Sequence, residues 1–246
     1  LINLVQGKDS FISKPAIGRG SSGVRKVDSD CLFQLIKDNS LSDKDIIQES
    51  IVGEEYRTLI IVQNSELKLL APIKRNSFYN TFLLGRLSYN SDEVIQIKDY
   101  IKKMIKNLKL SNAIIKADII VTKENINMIE MDIGVGGGIY YKKYISHLFD
   151  YDIQEEYINL ISGMEVKKCK GKGKKVVMDY VYNLTGKPIM YSESMSMKKL
   201  SNILGKEIIL IPNLLHPEDK GRFSSNADFI FCIIHNNDKI SNLELN

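Results

Sequence analysis

Four charged residues stand in two spaced pairs on either side of a short polar break: Lys116 and Asp118 before residues 123–125, Glu130 and Asp132 after them. Segments 113–122 and 126–133 are rich in Ile, Val and Met, as strands are, and Lys123-Glu124-Asn125 reads as the turn that joins them. With a three-residue turn, Thr122 faces Ile126, Asp118 faces Glu130 and Lys116 faces Asp132. Strand side chains alternate, so all four charges lie on one face. Ile115, Ala117, Ile119 and Val121 then share the other face with Ile129, Met131 and Ile133, a core face. Two carboxylates directly opposite each other, about 5 Å apart, repel unless a cation lies between them. Carboxylate oxygens with no Cys or His nearby select a hard ion, and Mg2+ held jointly by protein and phosphate oxygens suits them, with Mn2+ as a substitute. An ordinary surface in which Lys116 pairs with Asp132 is the competing reading.

A second segment, Gly18-x-Gly20-x-x-Gly23, formally matches the dinucleotide fingerprint, but that motif must follow a strand and open a helix. Residues 24–27 read instead as a return strand, which makes the glycines the tip of a hairpin. Such a tip suits a flap over phosphates: glycine lets backbone N–H groups approach closely, and the hydroxyls of Ser21 and Ser22 add donors. An ordinary turn has the same composition. Lys14, just before the loop, would aim a cation at the same phosphates. A third segment, Gln48-Glu49-Ser-Ile-Val-Gly53-Glu54-Glu55, is a strand leaving into a glycine turn and a new strand. Arg57 and Lys74-Arg75 follow on the next two strands, where plain solvation of a strand edge is the alternative.

The elements that must position these residues follow from periodicity. Strands are expected at 11–15, 24–27, 46–52, 56–63, 67–74, 176–183, 207–211 and 228–235, besides the pair around residue 124. Helices are expected from 28 or 29 to about 37, then at 91–109 with Val94, Ile97, Ile101, Ile105 and Leu108 on one face, and at 140–149, 154–162 and 197–204. A boundary is placed near Gly163, where the texture changes to a lysine-rich run at 167–175.

In content and in order, FISKPAIGRGSSGVRKV, IIQESIVGEEY and KADIIVTKENINMIEMD resemble the ATP-grasp superfamily over roughly residues 11–163. The first closely resembles the loop of D-alanine:D-alanine ligases and similar carboxylate-amine ligases such as L-amino acid ligases. The resemblance implies an α+β, ATP-grasp fold of two α/β subdomains with nucleotide between them: 1–50 with the glycine loop and 51–163 with the metal residues. A small β-rich C-terminal subdomain at 164–246 completes it. It implies that Lys14, Gly20, Ser21 and Ser22 meet phosphates, that Gln48, Glu49 and Ile51 meet adenine, and that Glu55 holds the ribose. Asp118, Glu130 and Asp132 would bind two Mg2+, Lys116 would contact the transferring phosphate of ATP, and Arg57 and Arg75 would meet an acyl phosphate or a substrate carboxylate. Run 134–141, GVGGGIYY, occupies the position at which the family lets the acyl acceptor approach. Family members usually carry Asn where Asp132 stands and often Arg where Lys116 stands.

The implied activity is an ATP-dependent ligase that activates a carboxylate as an acyl phosphate for attack by an amine or a thiol. The alternatives are a bicarbonate-activating enzyme of carbamoyl phosphate synthase or biotin carboxylase type and a non-catalytic ATP-binding module. The absence of any Ser-His or Cys-His arrangement agrees with a reaction that needs no side-chain nucleophile. At 246 residues, with 43% hydrophobic and 26% charged residues and a net charge of +4, the chain reads as an ordinary globular protein of one to two domains. Small-molecule carboxylate and amine substrates are the expected partners, without nucleic acid or membrane. A homodimer, or a missing N-terminal domain, stays open. Three scattered cysteines and no apolar run of membrane-spanning length point to a reducing, cytoplasmic location. Cys169, among lysines, is expected to have its thiolate favoured.

Overall fold

The computed structural model describes residues 9–17, 22–38, 44–77, 84–91, 94–134, 139–182, 208–212 and 231–236. Strands β1 (Ser10–Pro15), β2 (Arg25–Asp28) and β3 (Asp45–Glu49) form a three-stranded antiparallel sheet in the order β2-β1-β3. Helix α1 (Ser29–Lys37) starts where Asp28 accepts the Cys31 N–H at 2.7 Å, a side-chain cap for an otherwise orphan donor. Its Leu32 and Ile36 close on Phe11, Val27 and Ile47, the small core of this sheet. In the strand register Lys14 opposes Ile46 and Ile12 opposes Gln48, so Lys14 and Gln48 share the other face. Glu49, opposite Phe11, lies on the α1 side.

Strands β4 (Glu54–Gln63), β5 (Glu66–Ser77), β6 (Leu84–Ser88), β7 (Ala113–Val121), β8 (Ile126–Ile133), β9 (Val177–Val181), β10 (Ile209–Pro212) and β11 (Phe231–His235) form one sheet in the order β10-β11-β9-β6-β5-β4-β7-β8. Asn64 and Ser65 both take positive φ, 52° and 61°, and close the β4–β5 hairpin as a two-residue turn. Helix α2 (Val94–Asn107) buries Ile97, Ile101 and Ile105 against Ile60, Val62 and Ile115 on one face. Leu108, expected on the same stripe, lies past the helix end and is 51% exposed. Helices α3 (Ile139–Phe149) and α4 (Ile153–Ile161) cover the other face through Tyr144, Ile145, Leu148 and Ile153, packed with Leu59, Ile61 and Ile73. Among the described residues no helix is long and apolar enough to cross a membrane.

Segment 164–246, expected as a small subdomain, supplies β9, β11 and β10 to this same sheet, so the backbone ladder runs unbroken past the expected boundary. The junction is tied by a buried cluster: Asp179 receives Arg86 at 2.6 and 2.7 Å and lies 2.8 Å from His235 Nε2. Burial pushes the Asp179 carboxyl up, but the bonds and charges of Arg86 and His235 outweigh it and hold the group below the ordinary carboxylate range. The expected helix at 197–204 lies outside the described residues.

Residues 164–176 have no regular structure but are pinned throughout. Gln63 bonds the backbone of Met164 and Val166, the buried Glu156 accepts the Lys167 N–H, Cys169 N–H donates to Lys68 C=O, and Lys174 N–H donates to Leu148 C=O. Gly173 has φ +77°, and a Cβ there would stand 2.6 Å from the Tyr89 ring, itself packed edge-on against Phe149. Gly173→Ala should therefore lower unfolding free energy by about 1–3 kcal/mol, read as a shifted urea midpoint. An unmoved midpoint would mean that the segment yields freely.

Candidate active site

Strand β7 puts Lys116 opposite Asp132 and Asp118 opposite Glu130 on β8, the expected pairing reached by a different route. The connection has four residues, so Val121 and not Thr122 opposes Ile126, and the Thr122 hydroxyl accepts the Asn125 N–H at 2.9 Å to close it. One residue later in the ladder Ile119 opposes Met128, which leaves Ile129 as the extra residue of a β-bulge. The longer turn and the bulge shift the register by one in opposite senses, and the carboxylates end up face to face. The apolar face is corrected as well. Ile129, Met131 and Ile133 are exposed, Ile133 to 77%, because β8 is the sheet edge, and Met128 meets the core instead.

Strands β4 and β5 bring three more charges to this face. Arg57, opposite Asp118, donates to it twice, from Nε at 2.9 Å and Nη2 at 2.8 Å, a two-pronged pair. Arg75, opposite Glu55, spans Asp118 at 3.4 Å and Glu55 at 3.9 Å. Burial pushes the Asp118 carboxyl up, yet Arg57 first and then Arg75 and Lys116 hold it below the ordinary range. Lys116 Nζ lies 3.0 Å from Glu130 and 2.7 Å from Asp132. Burial works against its charge, and bonds to Asp132 and Glu130 with the Asp118 charge raise its pKa regardless. Among the described residues Arg75 Nε, buried within the cluster, has no hydrogen-bond partner.

Seven of the expected site residues thus converge on one face of one sheet: Glu55, Arg57, Arg75, Lys116, Asp118, Glu130 and Asp132. Lys14, Gln48 and Glu49 are carried by the three-stranded sheet, with Gln48 and Glu49 on opposite faces by strand alternation. Ile51 is half-buried in the connection after β3, and Ser22 is exposed in the turn before β2. Gly20 and Ser21 lie outside the described residues, as does 135–138 of the glycine run. On the opposite face at the same sheet end, Glu54 is bonded by Lys74 and Tyr56, and these bonds hold its carboxyl below the ordinary range. Sequence reading named Lys74 beside Arg75 and Glu54 beside Glu55 without pairing them, and it passed over the Arg86–Asp179–His235 cluster. Alternation within Glu54–Tyr56 was the available signal for the first, and the second joins strands too distant in the chain to signal.

Whether these residues suit a divalent ion follows from their donors. Among the described residues no three of His, Cys, Asp and Glu converge on one point. Asp118 is committed to arginines, whereas Glu130 and Asp132, with side chains 51% and 58% exposed, already share one cationic group, the Lys116 ammonium. Two accessible carboxylates on a rigid hairpin match the way Mg2+ binds, through one or two carboxylates with phosphate oxygens and waters completing the shell. Glu130 and Asp132 fit the ion; Asp118 fits a role behind them.

Comparisons with known proteins bear on the family and the fold. A model of the ATP-grasp domain matches residues 2–133. An L-amino acid ligase from Bacillus licheniformis superposes with a TM-score of 0.65 at 13% identity, over 93% of this chain and 59% of that one. N5-carboxyaminoimidazole synthase from Aspergillus clavatus, solved with ADP, gives 0.66 at 9% identity over 95% and 58%. N5-carboxyaminoimidazole ribonucleotide synthetase from Thermotoga maritima gives 0.60 at 12% over 96% and 59%. The chain therefore spans under two thirds of these relatives, and identities this low speak for the fold. No curated protein matches the sequence. With the domain model covering more than half of the chain and the same fold in these enzymes, the chain belongs to the ATP-grasp family.

Proposed function

We propose that this chain is the nucleotide- and metal-binding part of an ATP-dependent ligase that activates a carboxylate and passes it to an amine. The observation that carries the reading is the charge cluster on β4, β5, β7 and β8, in which three cations and four carboxylates are held on one face. Phosphoryl transfer asks a protein mainly for positioning and for neutralisation of spread negative charge. When bound, Mg2+ would screen the phosphate oxygens and withdraw charge from them. Glu130 and Asp132 would hold it, and Lys116, released from one of these carboxylates, would turn its ammonium to the transferring phosphoryl group. Asp118 would keep Arg57 and Arg75 aimed at the same face, where their guanidinium groups would meet the substrate carboxylate. In the sequence of bonds, a carboxylate oxygen attacks the γ-phosphorus and ADP leaves; the amine then attacks the acyl carbon and inorganic phosphate leaves. Lys14 and Ser22 would meet the phosphates, and Gln48, Glu49, Ile51 and Glu55 the nucleoside; the opposite faces of Gln48 and Glu49 imply that one of the two acts through its backbone.

The test is ADP release with Mg·ATP against pooled amino acids, dipeptides and bicarbonate. Stimulation by an amino acid or dipeptide pool supports the ligase, stimulation by bicarbonate alone replaces it with the bicarbonate-activating reading, and silence with tight Mg·ATP binding removes catalysis from this chain.

A further inference from the structure

At the far end of the β4–β5 hairpin lies a cavity of about 890 Å3 lined by the start of β5, α2 and the segment after α4, with Tyr89 and Phe149 beside them. Lys98, Lys102, Lys106 and Lys109 line it from α2 and its end, Lys68 from β5, and Lys168 from the pinned segment after α4. Lys68 stands seven residues from Arg75 along β5, about 23 Å at 3.3 Å per residue, so the cavity is separate from the charge cluster. Leu67, Leu70 and Ile105 give it an apolar floor.

The lysines are not accounted for by the fold. Lys98, Lys102 and Lys106 recur every fourth residue, and like charges at that spacing destabilise a helix by a few tenths of a kcal/mol per pair. The helix dipole favours Lys106 and Lys109 near the C-terminus but gives nothing to Lys98 and Lys102. Lys109 holds φ +52°, a conformation glycine takes without strain, yet a lysine stands there. Among the described residues Glu66 is the acid on the cavity wall, and it pairs with Lys68 at 3.6 Å. Among the described residues no ion pair is recorded for Lys98, Lys102, Lys106, Lys109 or Lys168. Lys168 is not on a free tail: its neighbours Lys167 and Cys169 are both hydrogen-bonded through their backbone N–H groups, which fixes the backbone that carries it at the cavity wall.

We propose that this cavity binds a small ligand carrying two or more phosphoryl groups. Its volume is that of a small-molecule site, too small for a duplex and concave where a membrane would need a flat or convex face. Six ammonium groups on three elements suit a ligand of several negative charges, and lysine binds phosphoryl oxygens as a compact point charge that needs no fixed approach angle. The proposal stands apart from the ligase reading.

Cys169 lines the cavity and reports on it. Contrary to expectation, burial pushes its thiol pKa up despite the surrounding lysines, so it reacts slowly and measurably. Labelling by iodoacetamide is followed by peptide mass spectrometry, with exposed Cys31 as reference and buried Cys232, which stays unlabelled, as the check of fold. Inorganic tripolyphosphate is the probe. It should slow Cys169 by about threefold, the protection of a site two-thirds filled, without touching Cys31, and Lys102→Gln with Lys106→Gln should abolish the protection. Unchanged Cys169 labelling, protection that survives the double substitution, or equal protection by citrate would each overturn the assignment.

Discussion

Glu130→Gln is expected to lower Mg2+-dependent ADP release by about 10²–10³-fold while leaving the fold standing. The Glu130 side chain is half exposed, and its recorded bond is to Lys116, which keeps Asp132 as a partner at 2.7 Å. Removing one partner from an exposed ion pair costs about 0–1 kcal/mol, so the urea midpoint should barely move. The chemistry suffers far more. An amide keeps an oxygen of the same shape but not the charge, and a hard divalent ion in a site with few protein ligands depends on that charge. Asp132→Asn should be milder, within about tenfold, since the resemblance read from the sequence implies Asn at that position. Steady-state ADP release over a Mg2+ titration separates the two: the Glu130 variant should need more Mg2+ and recover only in part. Turnover within about twofold of the parent, at an unchanged midpoint, would remove Glu130 from the site.

The strand pair that carries these residues was legible because two kinds of information agreed: an alternating pattern and a short polar break between two apolar runs. The pattern put Asp118 against Glu130, but it said nothing of the bulge at Ile129 that makes the pairing work with a longer turn. A bulge is a local insertion with no composition of its own. The edge position of β8 was equally invisible, since Met131 and Ile133 look like core residues until the order of the described strands puts β8 last. Strand β6 was missed: its five residues, Leu-Gly-Arg-Leu-Ser, are too few for a pattern, and what fixes them is Arg86 on Asp179, 93 residues away. The same limit applies to Arg57. Its charge could be assigned a ligand from the sequence, but its bond to Asp118 spans 61 residues and appears only when β4 lies between β5 and β7. Cys169 shows the reverse error, in which sequence neighbours suggested an electropositive setting and burial decided otherwise.

Asp118→Ala should cost about 3–5 kcal/mol of stability, the penalty for leaving a buried charge without its partner. The carboxylate is 7% exposed, and its removal leaves the guanidinium groups of Arg57 and Arg75 facing each other beside the Lys116 ammonium. Chemical denaturation measures the loss. A metal ligand with no structural duty would behave differently: activity would fall and the midpoint would hold. Because an alanine at this site could also simply unfold the protein, the decisive comparison is a double-mutant cycle with Arg57→Met and Asp118→Asn. Coupling above about 1 kcal/mol is expected for partners in direct contact, and coupling below about 0.5 kcal/mol would reduce the pair to two independent neighbours. The acid limb gives a second check. The folded-state pKa of Asp118 is depressed, so its contribution is complete above the ordinary aspartate value near about 3.9 and is lost as pH falls through the lower folded value. Asp179 is depressed in the same sense and contributes in the same window. Asp118→Asn should therefore flatten the acid limb of the stability profile without erasing it, since the Arg86–Asp179 pair still titrates there, and a limb of unchanged slope would mean that the Asp118 pair adds nothing to folding.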